Sequence, residues 1–169
     1  MSGGNDVIHQ AMRLRIMAAL NALGAALGAV DQIVADLGGR ASVANVRLAE
    51  QQTIQARVAE AAAELEAASA LLEVDRARMN DLGRAQQRLD DAMRLRLRLN
   101  VGYAAKLTVQ AIERLMPVVG GRGLELHNDF QRAWRDVHAV AQHIALVWDV
   151  QALNYAAQRL GVAGGDAKI

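Results

Sequence analysis

The chain has 169 residues, enough for one ordinary domain, and 53% of its side chains are apolar while only 3% are aromatic and one is proline. That balance favours closely packed helices over a sheet of branched and aromatic residues, so the expected class is all-α. Basic residues total 19 against 18 acidic ones, which leaves no overall field for nucleic acid or an anionic membrane, and the lack of cysteine removes disulfides, thiolate metal sites and cysteine nucleophiles.

The first predicted element follows Arg13 and Arg15, where an uncharged run from Ile16 to Val30 has the superficial look of a secretory signal. The run falls short of the roughly 20 residues a bilayer span needs. Its apolar spacing also continues past Asp31 into Ile33, Val34 and Leu37. It reads instead as a helix with Ile16, Leu20, Leu23, Leu27, Val30, Val34 and Leu37 on one stripe, ended by Gly38-Gly39. Gly24, Gly28 and the alanines beside the stripe suggest a tight helix crossing.

A second helix is expected over residues 49–81, with Ile54, Val58, Ala61, Leu65, Ala68, Leu72 and Met79 inside and Arg57, Glu60, Glu64 and Glu66 outside. Gly83 marks the break. The third is expected over 84–116 through Leu89, Met93, Tyr103, Leu107, Ala111 and Leu115, with Pro117 as its stop. Arg94 to Leu99 alternates as a strand would, but six such residues between helical neighbours cannot form a sheet alone. The last helix is capped by Asn128 or Asp129, carries Phe130, Trp134, Val137, Ala141, Ala145, Trp148, Ala152 and Tyr155 on its stripe, and closes at Gly161. Four helices with short connections pack up-down-up-down, so residues 1–169 form a single four-helix bundle with a frayed tail over 162–169.

Little in this bundle advertises chemistry. His138 and His143 are five residues apart, about 140° around a helix, and cannot grip a metal as a pair four apart would. No metal site is therefore expected. Ser2, Ser42 and Ser69 lack a nearby base, which removes hydrolase chemistry. The cluster Gly120-Gly121-Arg122-Gly123 can cradle a phosphate on backbone N–H groups with Arg122 pairing the charge, or can simply be a helix-ending turn. Arg88, Arg94, Arg96 and Arg98 form a basic stretch without the aromatic interleaving that stacks on bases.

The most specific string runs from Phe130 through Trp134-Arg135-Asp136 to His138. With Gly120 to Gly123 and Asn128-Asp129, it resembles the C-terminal domain of the acyl-CoA dehydrogenase superfamily, and the likeness reaches back through Arg57 to Ala61 and Leu71-Leu72. Dehydrogenases proper carry a glutamate base shortly after the Arg-Asp pair. Here that region holds His143, Ile144 and Ala145, so the residues are more similar to the flavin-dependent two-component monooxygenase branch, whose members act on 4-hydroxyphenylacetate, steroid-derived phenols and dibenzothiophene.

The resemblance implies reduced FAD or FMN supplied by a flavin reductase, a small aromatic or heterocyclic substrate, and hydroxylation through a flavin hydroperoxide. It places His143 at the flavin and substrate, and Gly121, Arg122 and Gly123 at flavin phosphate, in a neighbouring subunit of a homo-oligomer, usually a tetramer, in the cytoplasm. A histidine suits that task because its ordinary pKa of about 6.5 lets it donate or accept a proton near neutrality. Superfamily members carry a helical and a small β domain ahead of the bundle, whereas the first helix here starts close to Met1. The bundle is thus expected to work as part of a larger enzyme and to be inactive alone. Two other readings stand beside this one: an acyl-CoA dehydrogenase domain, and a non-catalytic helical oligomerisation module. Arg135 and Asp136 are expected to form at most a structural salt bridge, Trp134 and Trp148 to be core anchors, and His138 to stack on Trp134 or face solvent.

Overall fold

The computed structural model describes residues 3–41 and 47–162, so Ser2, Ser42 and the tail beyond Val162 lie outside the described residues. The described chain is all-α: α1 (Gly3–Leu37), α2 (Gln52–Arg84), α3 (Asp91–Val119), α4 (Asp129–Ala141) and α5 (Trp148–Leu160), with short 3-10 turns at Leu48–Glu50 and Gly120–Leu124. The first four helices form the bundle. The fourth predicted helix is not continuous: it stops at Ala141 and resumes at Trp148, and α5 packs chiefly on α3, which also meets α1, α2 and α4.

In α1 the buried seam is Met12, Ile16, Ala19, Leu23, Ala26, Val30, Ile33 and Leu37, alternating steps of four and three. The predicted stripe is right at 16, 23, 30 and 37 but wrong at Leu27 and Val34, which are exposed. Two seams overlap in this sequence, and the structure takes the one with Ala19 and Ala26 because small side chains let the partner backbones come closer. Gly24 and Gly28 then face outward, and a Cβ on either would meet nothing within 4 Å. They make no tight crossing inside the chain. Over Asp6–Leu37, 32 residues, α1 is long and apolar enough to cross a membrane by length and composition, contrary to the shorter run read from sequence; here one face of it packs on α2, α3 and α4.

The inner face of α2 is as expected, with Ala61, Leu65, Ala68, Leu72 and Met79 buried. Its outward Glu60 and Glu64 converge on Arg114 of α3, which donates twice to Glu64 at 2.8 and 2.9 Å and once to Glu60 at 2.8 Å. Fork-to-carboxylate bonds of this kind fix the register of two helices more than they stabilise them. The third helix begins later than predicted, at Asp91, because Asp90 caps it: its Oδ1 accepts from the Met93 N–H at 2.7 Å. It also runs past Pro117 to Val119, and the stop falls at Gly120, whose φ of 70° suits glycine.

The alternating Arg94–Leu99 segment is helical because α3 is the central helix, buried on several sides, so Leu95, Leu97 and Arg98 can all lie inside. Tyr103, read as an inner residue, is 41% exposed. The basic stretch is spent locally: Arg94 pairs with Asp91 at 2.7 Å, Arg96 lies 5.2 Å from the centre of the Tyr155 ring, and Arg98 is buried. Arg135 and Asp136 are exposed and no ion pair joins them among the described residues, since neighbours on a helix point about 100° apart.

Asp75 sits in the core between α2 and α3. Its Oδ1 accepts from Asn100 Nδ2 at 3.1 Å and from Arg78 at 3.4 Å, while Oδ2 is buried without a partner. Burial raises the Asp75 carboxyl above the ordinary carboxylate value of 3.8, outweighing the Asn100 bond and the charges of Arg78 and Arg96.

Two outcomes follow for stability. An acid whose folded pKa is raised holds its proton better when folded, so its destabilising contribution is absent below its unfolded value and grows as pH rises through its folded value. The stability of the wild type relative to Asp75→Asn, measured by urea unfolding, should therefore fall as pH is raised from about 4; a flat or rising difference contradicts this. Gly24→Ala should raise the stability of the isolated chain by about 0.5–1 kcal/mol, since the helix gains propensity and nothing obstructs the methyl group.

Candidate functional site

The break between α4 and α5 is where His143 lies. Its backbone is closed by tight turns: the Leu146 N–H donates to the His143 carbonyl at 2.7 Å and the Val147 N–H to the same oxygen at 3.1 Å. Leu146 is driven into the core at 1% exposure, whereas His143 and Ile144 face outward. The imidazole is not free to spin, because its Nδ1 accepts from the Ala145 N–H at 3.2 Å. A backbone N–H can only donate, so in the neutral ring the proton is on Nε2, which is left as a donor.

Beneath this turn the chain comes unusually close to α3. A Cβ on Gly102 would lie 3.0 Å from Gln151 Cγ and in contact with the Leu146 carbonyl oxygen at 3.5 Å, so a larger side chain there would have to shift Gln151. Gln151 is the buried residue of α5. Its amide Nε2 donates to the Ile144 carbonyl at 2.9 Å, and its Oε1 accepts from Arg98 Nε of α3 at 2.8 Å. Trp148 opens α5 beside the turn, with Tyr103 5.1 Å away between ring centres and Lys106 Nζ 5.0 Å from its ring. Both tryptophans are half-buried and partnered rather than sunk in the core. Trp134 donates to Glu113 at 2.9 Å and stacks on His138 at 4.3 Å, and His138 Nε2 reaches the same carboxylate at 2.9 Å.

The glycine cluster lies at the other end of α4. Gly120 ends α3, and the Gly120–Leu124 turn leads to α4, capped by Asn128, whose Oδ1 accepts from the Phe130 N–H at 2.9 Å. Gly121 is exposed with nothing within 4 Å of a would-be Cβ, and Arg122 is exposed with no side-chain partner among the described residues. Gly123 has a packing role instead: a Cβ there would meet Val119 Cγ1 at 2.9 Å. Gly121 and Arg122 thus fit an anion approaching from solvent, and Gly123 permits the turn that presents them. The 13 residues of α4 separate this turn from His143 by about 20 Å. One chain does not bring the predicted site residues together.

Sequence reading missed Arg98, Gly102, Gln151 and the Tyr103–Trp148–Lys106 surface. The available signals were a lone glycine within a helical pattern, and a glutamine and an arginine at positions that face inward.

The geometry defines a class: a helical bundle domain that displays a histidine on a pinned interhelical turn and a glycine–arginine turn at the opposite end. Residues 16–148 match the family described as acyl-CoA dehydrogenase, C-terminal domain, and the chain belongs to that family. It is 41% identical over 151 residues, 83% of its length, to the oxygenase component of the FADH2-dependent resorcinol hydroxylase of Rhizobium sp. strain MTP-10005. It is 30% identical over 119 residues, 70% of its length, to the oxygenase component of p-hydroxyphenylacetate 3-hydroxylase of Acinetobacter baumannii. The crystal structure of the 3-HSA hydroxylase of Rhodococcus sp. RHA1 superposes with a TM-score of 0.80 at 25% identity, covering 94% of this chain and 40% of that protein. The chain spans 36% and 28% of the lengths of the two hydroxylase components.

Proposed function

We propose that this bundle is the C-terminal domain of a flavin-dependent oxygenase component that hydroxylates a small aromatic substrate in the cytoplasm, with reduced flavin delivered by a separate reductase. The observation that carries the reading is His143, held on the exposed turn with Nε2–H outward of its backbone bond, in a chain 41% identical to a resorcinol hydroxylase component. A carboxylate base, which a dehydrogenase would need for proton abstraction, does not occur in the 142–147 turn. The name of that relative specifies FADH2, which favours FAD over FMN.

Bound reduced flavin would supply the electrons that activate dioxygen. The chain's own residues bind and direct. Arg122 and the backbone around Gly121 hold flavin phosphate, with Gly123 shaping their turn, while the His143 Nε2–H donates at the reacting end and an aromatic ring can lie against Tyr103 and Trp148. Because about 20 Å separates the two ends of α4, the Arg122 turn serves flavin held at the His143 end of another copy. Outward-facing Val7, Leu14, Met17, Leu27 and Val34 on α1, with Gly24 and Gly28 beside them, supply an apolar face for such self-association, and a tetramer is the assembly we expect.

Anaerobic titration of the complete oxygenase with reduced FAD should show saturable binding that weakens at least about tenfold in Arg122→Ala, the loss of one charge-assisted contact. Absence of binding, or equal binding by the variant, contradicts the phosphate assignment. In the complete oxygenase that contains this bundle, His143→Ala should lower hydroxylation about 10²–10⁴-fold, the usual worth of a positioned proton donor. Unchanged turnover removes His143 from the chemistry.

A further inference from the structure

A buried cation and an exposed imidazole are joined in this structure by hydrogen bonds that all run in one direction. Arg98 Nε donates to Gln151 Oε1 at 2.8 Å, and Gln151 Nε2 donates to the Ile144 carbonyl at 2.9 Å. That carbonyl belongs to the same peptide group as the Ala145 N–H, which donates to His143 Nδ1 at 3.2 Å. Each amide accepts on its oxygen and donates from its nitrogen. In such a chain each bond polarises the next, and the low dielectric around Arg98 and Gln151, both at most 2% exposed, strengthens the effect.

We propose that Arg98, Gln151 and the Ile144–Ala145 peptide form a relay that positions His143, fixing its ring orientation and its Nε2–H tautomer from inside the bundle. Gln151 and Arg98 are positioning residues and touch no substrate. Three features of the structure have this one explanation. The buried residue of α5 is polar rather than apolar, α3 carries a glycine where Gln151 crosses it, and the turn bearing His143 is exposed at the ring but anchored at the next carbonyl. Without the Gln151 bond, the Ile144–Ala145 peptide could rotate, and the Ala145 N–H would leave Nδ1. The catalytic meaning of the relay rests on the role given to His143 above, but its existence does not.

Gln151→Glu separates positioning from mere adhesion. A carboxylate still accepts from Arg98, and as a charge pair it keeps α5 on α3, but it cannot donate to the Ile144 carbonyl and sets one oxygen against another. Nitrogen-15 NMR of the chain, at a pH where the imidazole is neutral, reads the tautomer, and amide exchange reads Ala145. Wild type should show a single Nε2–H tautomer and a protected Ala145 amide. The Gln151→Glu chain should stay folded, show Ala145 exchange at least about tenfold faster, and gain a minor Nδ1–H tautomer. A variant that keeps both wild-type signatures overturns the relay. Should Gln151→Glu unfold, the wild type itself decides: slow exchange of the Gln151 side-chain amide and the Ala145 amide with a single Nε2–H tautomer supports the relay, and fast exchange at either or a mixture of tautomers overturns it. These readouts need no flavin, so failure of the relay is distinct from failure of the oxygenase reading, which shows instead as absent flavin binding or an active His143→Ala enzyme.

Discussion

A guanidinium in the middle of a helical bundle is the constraint on which the rest of this structure depends. Arg98 is 2% exposed on the central helix, and a buried charge costs several kcal/mol unless hydrogen bonds compensate it. Part of the compensation comes from Gln151, so α5 is held on α3 by a buried polar contact as well as by the Trp148–Tyr103 ring pair. A hydrogen bond to a charged group contributes about 1.5–3 kcal/mol, and removal of Gln151 takes away that part of the compensation. The position of α5, the break before it and the outward display of His143 all follow from that anchor and from Gly102, which lets the helices touch.

The same anchoring explains how a domain of helices can hold a histidine in one orientation on a loop. An exposed turn would ordinarily be the most mobile part of a bundle. Here Leu146 is buried on one side of His143, the Ile144 carbonyl is held from below, and the Ala145 N–H orients the ring. The Arg122 turn is built otherwise: a glycine ends α3, Gly123 fits under Val119, and the guanidinium is left to solvent. A fixed histidine at one end of α4 and an open arginine at the other suit a site completed by a second molecule.

Much of this was legible in the sequence. The all-helical class, the inner face of α2, the Asn128 cap and the Gly161 stop each depend on local pattern, and local pattern survived. The Arg-Asp string and the histidine where a dehydrogenase would place its base pointed to the right superfamily. The break at 142–147 was hidden because Trp134, Val137, Ala141, Ala145, Trp148, Ala152 and Tyr155 keep helical spacing straight through it, and the turn holds neither glycine nor proline. Tertiary contacts made by Leu146 and Gln151 overrode that periodicity. The α1 seam was misread for a related reason: Leu27 and Val34 outweigh Ala19 and Ala26 in hydrophobicity, but close packing of backbones chose the alanines. Arg98 and Gln151 could be seen only as polar residues at inward positions, with nothing local to say that they face each other.

The claim that decides the account is that the enzyme containing this bundle inserts oxygen rather than removing hydrogen. The direct measurement is to supply that enzyme with reduced FAD from a flavin reductase under isotopically labelled dioxygen, with a simple dihydroxybenzene as substrate, and to weigh the product. The account predicts a hydroxylated product carrying one labelled atom per molecule. An unlabelled product, or an enzyme whose oxidised flavin is instead bleached by an acyl-CoA thioester, would contradict it.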